Sequence, residues 1–179
     1  GTGSGKTESF ILPILNHLFL EKKNGTLGPG VRALLLYPMN ALANDQLKRL
    51  RSLLQNVPAI TFGRYTGETE ETRSAAKDKF RKMFGSNVPI LENELLSREE
   101  MRENPPHILL TNYAMLEYLL MRPIDFAFFD DPKFNAYWRF IVLDEAHTYN
   151  GAKGIELAML IRRFKDRIEI GRASCRERV

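Results

Sequence analysis

Two groups of residues near opposite ends of the chain have the types and spacing for phosphate chemistry. At one end, Gly1-Thr2-Gly3-Ser4-Gly5-Lys6-Thr7 combines glycines, a lysine and hydroxyls in one short run, with an apolar helical pattern directly after it. Glycines let backbone N–H groups approach phosphate oxygens, the lysine neutralises the β and γ phosphates, and a hydroxyl joins a Mg²⁺ shell at the positive end of a helix. At the other end, Val142-Leu143-Asp144-Glu145-Ala146-His147 is an apolar run that stops at two adjacent carboxylates, with an imidazole two residues on. Adjacent carboxylates repel; the pair becomes useful when a divalent cation neutralises one and the other takes a proton. Thr2, Gly3, Ser4, Gly5, Lys6 and Thr7 are thus expected to bind ATP, and Thr7 and Asp144 to hold Mg²⁺. Glu145 orients and deprotonates the attacking water, Lys6 assists as a catalytic charge, and His147 couples the site to its surroundings.

These groups need elements that bring them together. Residues 140–143 read as a strand buried on both faces, which in a parallel sheet delivers Asp144 and Glu145 to the carboxyl edge. Residues 4–20 read as a helix, with Phe10, Ile11, Ile14, Leu15, Leu18 and Phe19 on its apolar side and a bend expected at Pro13. Residues 31–37 form a second buried strand, broken by Pro38-Met39-Asn40, and residues 41–54 a helix with Leu42, Leu47, Leu50 and Leu54 near one face and Lys48, Arg49 and Arg51 turned mostly outward. A strand at 59–65 and a charged surface helix at 70–84 follow. The stretch 85–106 is irregular, apart from a capping box at Ser97-Arg98-Glu99-Glu100. Beyond it come a strand at 108–111, a helix at 113–121, an aromatic-rich connection at 123–135, the acidic strand, and a helix at 154–167. Strand and helix alternate throughout, which argues for an α/β fold with a parallel sheet flanked by helices.

Composition is ordinary for a globular chain, at 44% hydrophobic and 27% charged. A formal charge of +4 permits an anionic partner without demanding one. The longest apolar stretch is interrupted by Pro13, Asn16 and His17, so nothing here is expected to span a membrane, and a cytoplasmic location is expected. The first small residue of a full phosphate loop would lie one position before Gly1, so residues 1–168 are expected to be an incomplete domain, truncated at both ends. Residues 169–179 have no helical period, resemble a translated sequencing adapter, hold the single cysteine, Cys175, and are expected to be a non-native tail. His17 and His107 read as structural, Trp138, Phe126, Phe128 and Phe129 as core, and Arg162, Arg163, Lys165 and Arg167 as a solvated helix end.

The set of motifs resembles the first RecA-like domain of superfamily 2 DEAD/DEAH-box helicases and translocases. Gly1 to Thr7 looks like motif I, the run from Pro38 to Gln46 like motif Ia, and Asp144-Glu145-Ala146-His147 like motif II. Tyr65-Thr66-Gly67-Glu68-Thr69 and the Thr148-Tyr149 that follows motif II resemble the branch of DNA helicases that includes Lhr-like and related bacterial repair or defence enzymes, although Thr66 stands where that branch often has aspartate. The resemblance implies an ATP-hydrolysing motor that binds nucleic acid, DNA favoured over RNA. It also implies nucleic-acid contacts by Pro38, Asn40 and Ala41, by Gly67 and Thr69, and by Thr111, Asn112 and Tyr113. In such motors a second RecA-like domain supplies an arginine, so this chain alone is not expected to be a competent ATPase. A P-loop kinase, or a nucleotide-gated clamp that binds without unwinding, are the alternative readings.

Overall fold

The computed structural model describes residues 6–131, 133–134 and 137–176, with side chains described for all of these except 6, 7, 127, 130 and 169–176. The strands are β1 (Ala33–Tyr37), β2 (Phe62–Arg64), β3 (Glu94–Leu95), β4 (Ile108–Asn112) and β5 (Phe140–Leu143). They form one all-parallel sheet in the order β3-β2-β4-β1-β5. The helices are α1 (Lys6–Lys23), α2 (Asn40–Leu54), α3 (Arg73–Phe84), α4 (Arg98–Glu103), α5 (Tyr113–Met121), α6 (Ala127–Asp130) and α7 (Ala152–Arg176). This is the α/β architecture that the strand-helix alternation predicts.

The central strand shows why the apolar runs are continuous. All five residues of β1 are buried, because β4 and β5 flank it and helices cover both faces. Leu35 and Tyr37 face a core built with Ile11, Ile14 and Leu18 of α1 and Ala43, Leu50 and Leu54 of α2. Leu34 and Leu36 face the opposite core, with Leu116 and Leu119 of α5, Leu157, Leu160 and Phe164 of α7, and the Phe128, Phe129 and Trp138 cluster. Trp138 stacks on Phe129 at 5.7 Å and meets Phe164 edge-on at 4.9 Å. Fully burying such side chains stabilises by roughly 1.5–3 kcal/mol each.

Several local expectations are corrected. β5 is half-buried rather than buried on both faces, and Leu143 is 37% exposed. Among the described residues its only neighbour is β1, and a strand at a sheet edge is covered less completely than one in the middle. Pro13 lies on the exposed side of an uninterrupted α1, while Phe19, expected on the apolar side, is exposed. Arg51 does not turn outward: it pairs with the buried Glu94 of β3 and lies over the Phe80 ring. That strand was not legible, since two residues carry no period. Ile155 is exposed, and the buried stripe of α7 is Leu157, Leu160, Phe164 and Ile168. α7 itself runs on to Arg176, because losing apolar periodicity does not remove the helix propensity of Arg, Glu and Ala. No described helix is long and apolar enough to cross a membrane.

Candidate functional site

Among the described residues, the carboxyl ends of β1, β2, β4 and β5 place the predicted residues from Pro38 to His147 along one edge of the sheet. β5 is tied to β1 through Leu143, and the ladder continues one residue further, with Asp144 N–H donating to the Leu36 carbonyl at 3.1 Å. Strand alternation thus still governs Asp144: Phe140 and Val142 pack on the α1/α2 side, Ile141 on the other, and Asp144 falls on the α1 side. Immediately afterwards the chain turns. Glu145 takes a left-handed conformation (φ 51°, ψ 38°), and residues Ala146–Thr148 form a 3₁₀ turn. For a residue with a Cβ this backbone costs on the order of 1–3 kcal/mol, and such outliers cluster at functional sites. Local bonds hold the turn: Glu145 N–H donates to Asp144 Oδ1 at 2.9 Å, and the Thr148 N–H and hydroxyl both donate to the Glu145 carbonyl at 2.8 Å. His147 Nδ1 lies 3.2 Å from Glu145 Oε2, with the imidazole largely exposed.

Beside Asp144 lies an unusual group. Among the described residues the buried Tyr37 hydroxyl has no hydrogen-bond partner, and burial, then the Asp144 charge, push its pKa above the ordinary tyrosine value. A buried hydroxyl without a partner is an open polar valence at the foot of the acidic turn. Among the described residues no group of three metal-ligating side chains occurs. A single aspartate with one oxygen uncommitted to the backbone suits Mg²⁺, which keeps several waters and uses one or two carboxylates plus substrate phosphates. The donor set present therefore fits that ion. Thr2, Gly3, Ser4 and Gly5 lie outside the described residues, while Lys6 and Thr7 open α1, with side chains outside those described.

The other predicted contacts form a connected edge. Asn112 Nδ2 donates to Asn40 Oδ1 at 2.6 Å, and Asn40 Nδ2 donates to Glu68 at 3.0 Å, joining the ends of β1, β4 and the loop after β2. Asn112 also caps α5, accepting from Met115 N–H at 2.8 Å. Ala41 and Gly67 are exposed, and Pro38 and Tyr113 are part-buried. Thr111 and Thr69 are not available in the same way. Thr111 is wholly buried and its hydroxyl donates to the Tyr65 carbonyl at 2.6 Å. Thr69 is 7% exposed; its hydroxyl donates to the Arg64 carbonyl at 2.7 Å and accepts from Thr66 N–H at 2.9 Å. Both hydroxyls shape the loop from beneath.

Sequence reasoning missed what holds that loop. Asp125, fully buried, accepts from the Tyr65 hydroxyl and from Arg102 Nε at 2.9 Å. Arg102 also bonds Glu71, and Arg98 donates to the Thr66 carbonyl at 3.0 Å. Burial, then the Asp125 bond, push Tyr65 up; burial works against charged Arg102, but its bonds to Glu71, Tyr65 and Asp125 outweigh it and raise its pKa. The only sequence signal was the capping box at Ser97, which the structure contains in full and which starts the helix carrying Arg98 and Arg102.

The family model described as DEAD/DEAH box helicase matches residues 1–175. Among curated proteins, Druantia protein DruE of Escherichia coli is 34% identical over 262 aligned residues, covering 98% of this chain and 14% of the relative. The uncharacterized ATP-dependent helicase YprA of Bacillus subtilis is 30% identical, and the ATP-dependent helicase Lhr-Core of Methanothermobacter thermautotrophicus 27% identical, each over 92% of this chain and 17% of the relative. The chain thus spans between 14% and 17% of the length of these relatives. No solved structure matches it.

Proposed function

Because the chain belongs to the DEAD/DEAH box helicase family, we propose that it is the nucleotide-hydrolysing motor domain of an ATP-dependent nucleic-acid helicase or translocase, working on DNA in preference to RNA. The observation that carries this reading is the acidic turn at the end of β5: Asp144 on the α1 side, next to a glutamate in left-handed backbone at the carboxyl edge.

In this reading Gly1 to Lys6 cradle the phosphates of ATP, and Thr7 and Asp144 hold Mg²⁺. The ion, when bound, neutralises charge on the β and γ phosphates. Lys6 adds a second positive charge at the α1 N-terminus, where the helix dipole has the same sign. Glu145 orients the attacking water and accepts its proton, and His147, 3.2 Å from that carboxylate, relays changes at the site. Pro38, Asn40, Ala41, Gly67, Asn112 and Tyr113 hold a strand by its backbone, with Thr69 and Thr111 supporting them. Phosphate contacts of this kind position a strand without reading its sequence. The preference for DNA rests on the likeness of the Tyr65 to Thr69 and Thr148-Tyr149 elements to those of DNA helicases, and a nucleic-acid partner suits a cytoplasmic setting. The partner within the same protein is a second RecA-like domain that supplies the arginine for transition-state charge, an effect worth about 10³–10⁵ in rate in related systems.

The test is steady-state ATP hydrolysis by the intact protein with and without single-stranded DNA or RNA, alongside strand displacement on a partial duplex. Stimulation by DNA with displacement is expected; hydrolysis indifferent to both nucleic acids would overturn the motor reading.

A further inference from the structure

The stretch just after the acidic turn takes no part in the hydrolysis described above, yet it walls a cleft of about 460 Å³ at the carboxyl edge. We propose that this cleft is a pocket for one unpaired nucleobase of the bound strand, stacked on Tyr149. The proposal rests on the nucleic-acid reading of the same edge.

The lining has the character of a base site. Met39, Leu42, Tyr113 and Tyr149 supply apolar and aromatic surface, and Met39 stands 60% exposed at the end of β1. Pockets of several hundred Å³ with mostly apolar walls and a few convergent polar groups are the usual form of small-ligand sites. Its polar groups select among ligands. Glu156 lines the cleft and gives the exocyclic amino group of adenine, cytosine or guanine an acceptor. The Tyr149 hydroxyl is buried and has no partner among the described residues, although buried hydroxyls are ordinarily satisfied. Burial, then the neighbouring Tyr113, raise its pKa, which keeps it a donor. Lys153 lines the cleft from the first turn of α7, is exposed, and makes no ion pair with a described residue, so it is free to meet a phosphate flanking the base. Stacking on an aromatic ring tolerates every base and is worth a few-fold to about a hundredfold in affinity per base.

Adenine of the nucleotide has the same chemistry. The strand is the source the geometry favours, because Pro38 and Tyr113 of the proposed strand-binding edge bound the cleft.

The experiment uses the intact protein with a single-stranded oligonucleotide carrying 2-aminopurine, reading binding by anisotropy and stacking by 2-aminopurine emission. A second arm uses 2-aminopurine riboside triphosphate without a strand. Quenching on strand binding is expected. Tyr149→Ala should abolish the quench and weaken binding about tenfold, and Tyr149→Phe should keep the quench, which needs only the ring, while weakening binding a few-fold through loss of the hydroxyl donor. Thr148→Trp, at an exposed position that lines the cleft, should block it, and Thr148→Val, which loses only the hydroxyl bond to the Glu145 carbonyl, should not. Wild-type protein that binds no strand overturns both this pocket and the motor reading. Strand binding and quenching unchanged in Tyr149→Ala and Thr148→Trp overturn the pocket alone. A Tyr149-dependent quench confined to the triphosphate arm assigns the cleft to the nucleotide and also overturns the proposal.

Discussion

Two loops at the same sheet edge are built in opposite ways. The loop from Thr66 to Thr69 is held from every side: by its own threonine hydroxyls, by Thr111 from β4 below, by Lys79 of α3 on the Glu68 carbonyl, and by Arg98 of α4 on the Thr66 carbonyl. Among the described residues the turn from Asp144 to Thr148 is held mainly by local bonds among Asp144, Glu145, Ala146, Thr148 and Tyr149, and it carries a strained glutamate. The first is a prebuilt platform; the second changes shape more cheaply. Elements that move in function come from the less constrained end of the stability range, and a surface that positions a strand gains from rigidity.

This contrast can be broken by mutation, since the turn should affect chemistry and the loop stability. The largest effect is expected for Glu145→Gln, which should lower strand-stimulated ATP turnover by about 10²–10⁴-fold while leaving nucleotide binding and the melting temperature near wild type. Its counterpart Lys6→Ala should weaken nucleotide binding, by about 10–100-fold for loss of a charged hydrogen bond. Titration calorimetry beside the turnover assay separates the two, and normal turnover in Glu145→Gln would sink its assignment.

On the platform, Asp125→Ala should cost about 1–3 kcal/mol in urea unfolding, because it leaves the Tyr65 hydroxyl without its acceptor and Arg102 paired with Glu71 alone. A cost below about 1 kcal/mol would show that the loop does not depend on this network.

The opposite edge of the sheet should govern the response to acid. Burial, then the Arg32 charge, hold His107 down at about 4 against an ordinary 6.5. Its Nδ1 accepts from Thr61 N–H at 2.9 Å and its Nε2–H donates to the Gly28 carbonyl at 3.1 Å, so the neutral ring is the bonded one. As pH falls the unfolded chain takes up the proton first. The contribution of this group is therefore full above about pH 6.5, declines by about 3 kcal/mol on the way to pH 4, and is level below that. Unfolding free energies at pH 7 and 4.5 should converge less steeply in His107→Gln than in wild type; equal slopes would remove His107 as the cause.

The smallest effect is expected for Ser97→Ala. Losing the cap of the helix that carries Arg98 and Arg102 should cost about 1 kcal/mol, seen as a small shift of the urea midpoint with turnover little changed.

What could be read from the residues alone was whatever repeats with a period or carries a fixed chemistry. The buried runs Ala33–Tyr37 and Ile108–Asn112, the apolar side of α2 and the capping box at Ser97 all follow from local pattern, and together they imply a parallel sheet. The expectation that Gly1 to Thr7 work together with Asp144 and Glu145 rests on a related reason: phosphate chemistry tolerates few substitutes at those spacings. Tertiary structure decided the rest. The pairing of β5 with β1, the inward turn of Arg51 toward Glu94, and the convergence of Tyr65, Arg102 and Asp125 join residues distant in the chain, and no local period records such partnerships. The same holds for Thr69 and Thr111, whose residue types suit a phosphate as well as a carbonyl. Only the packed fold determined that their hydroxyls bond the backbone of Arg64 and Tyr65, because a hydroxyl bonds whatever acceptor the surrounding chain brings within reach.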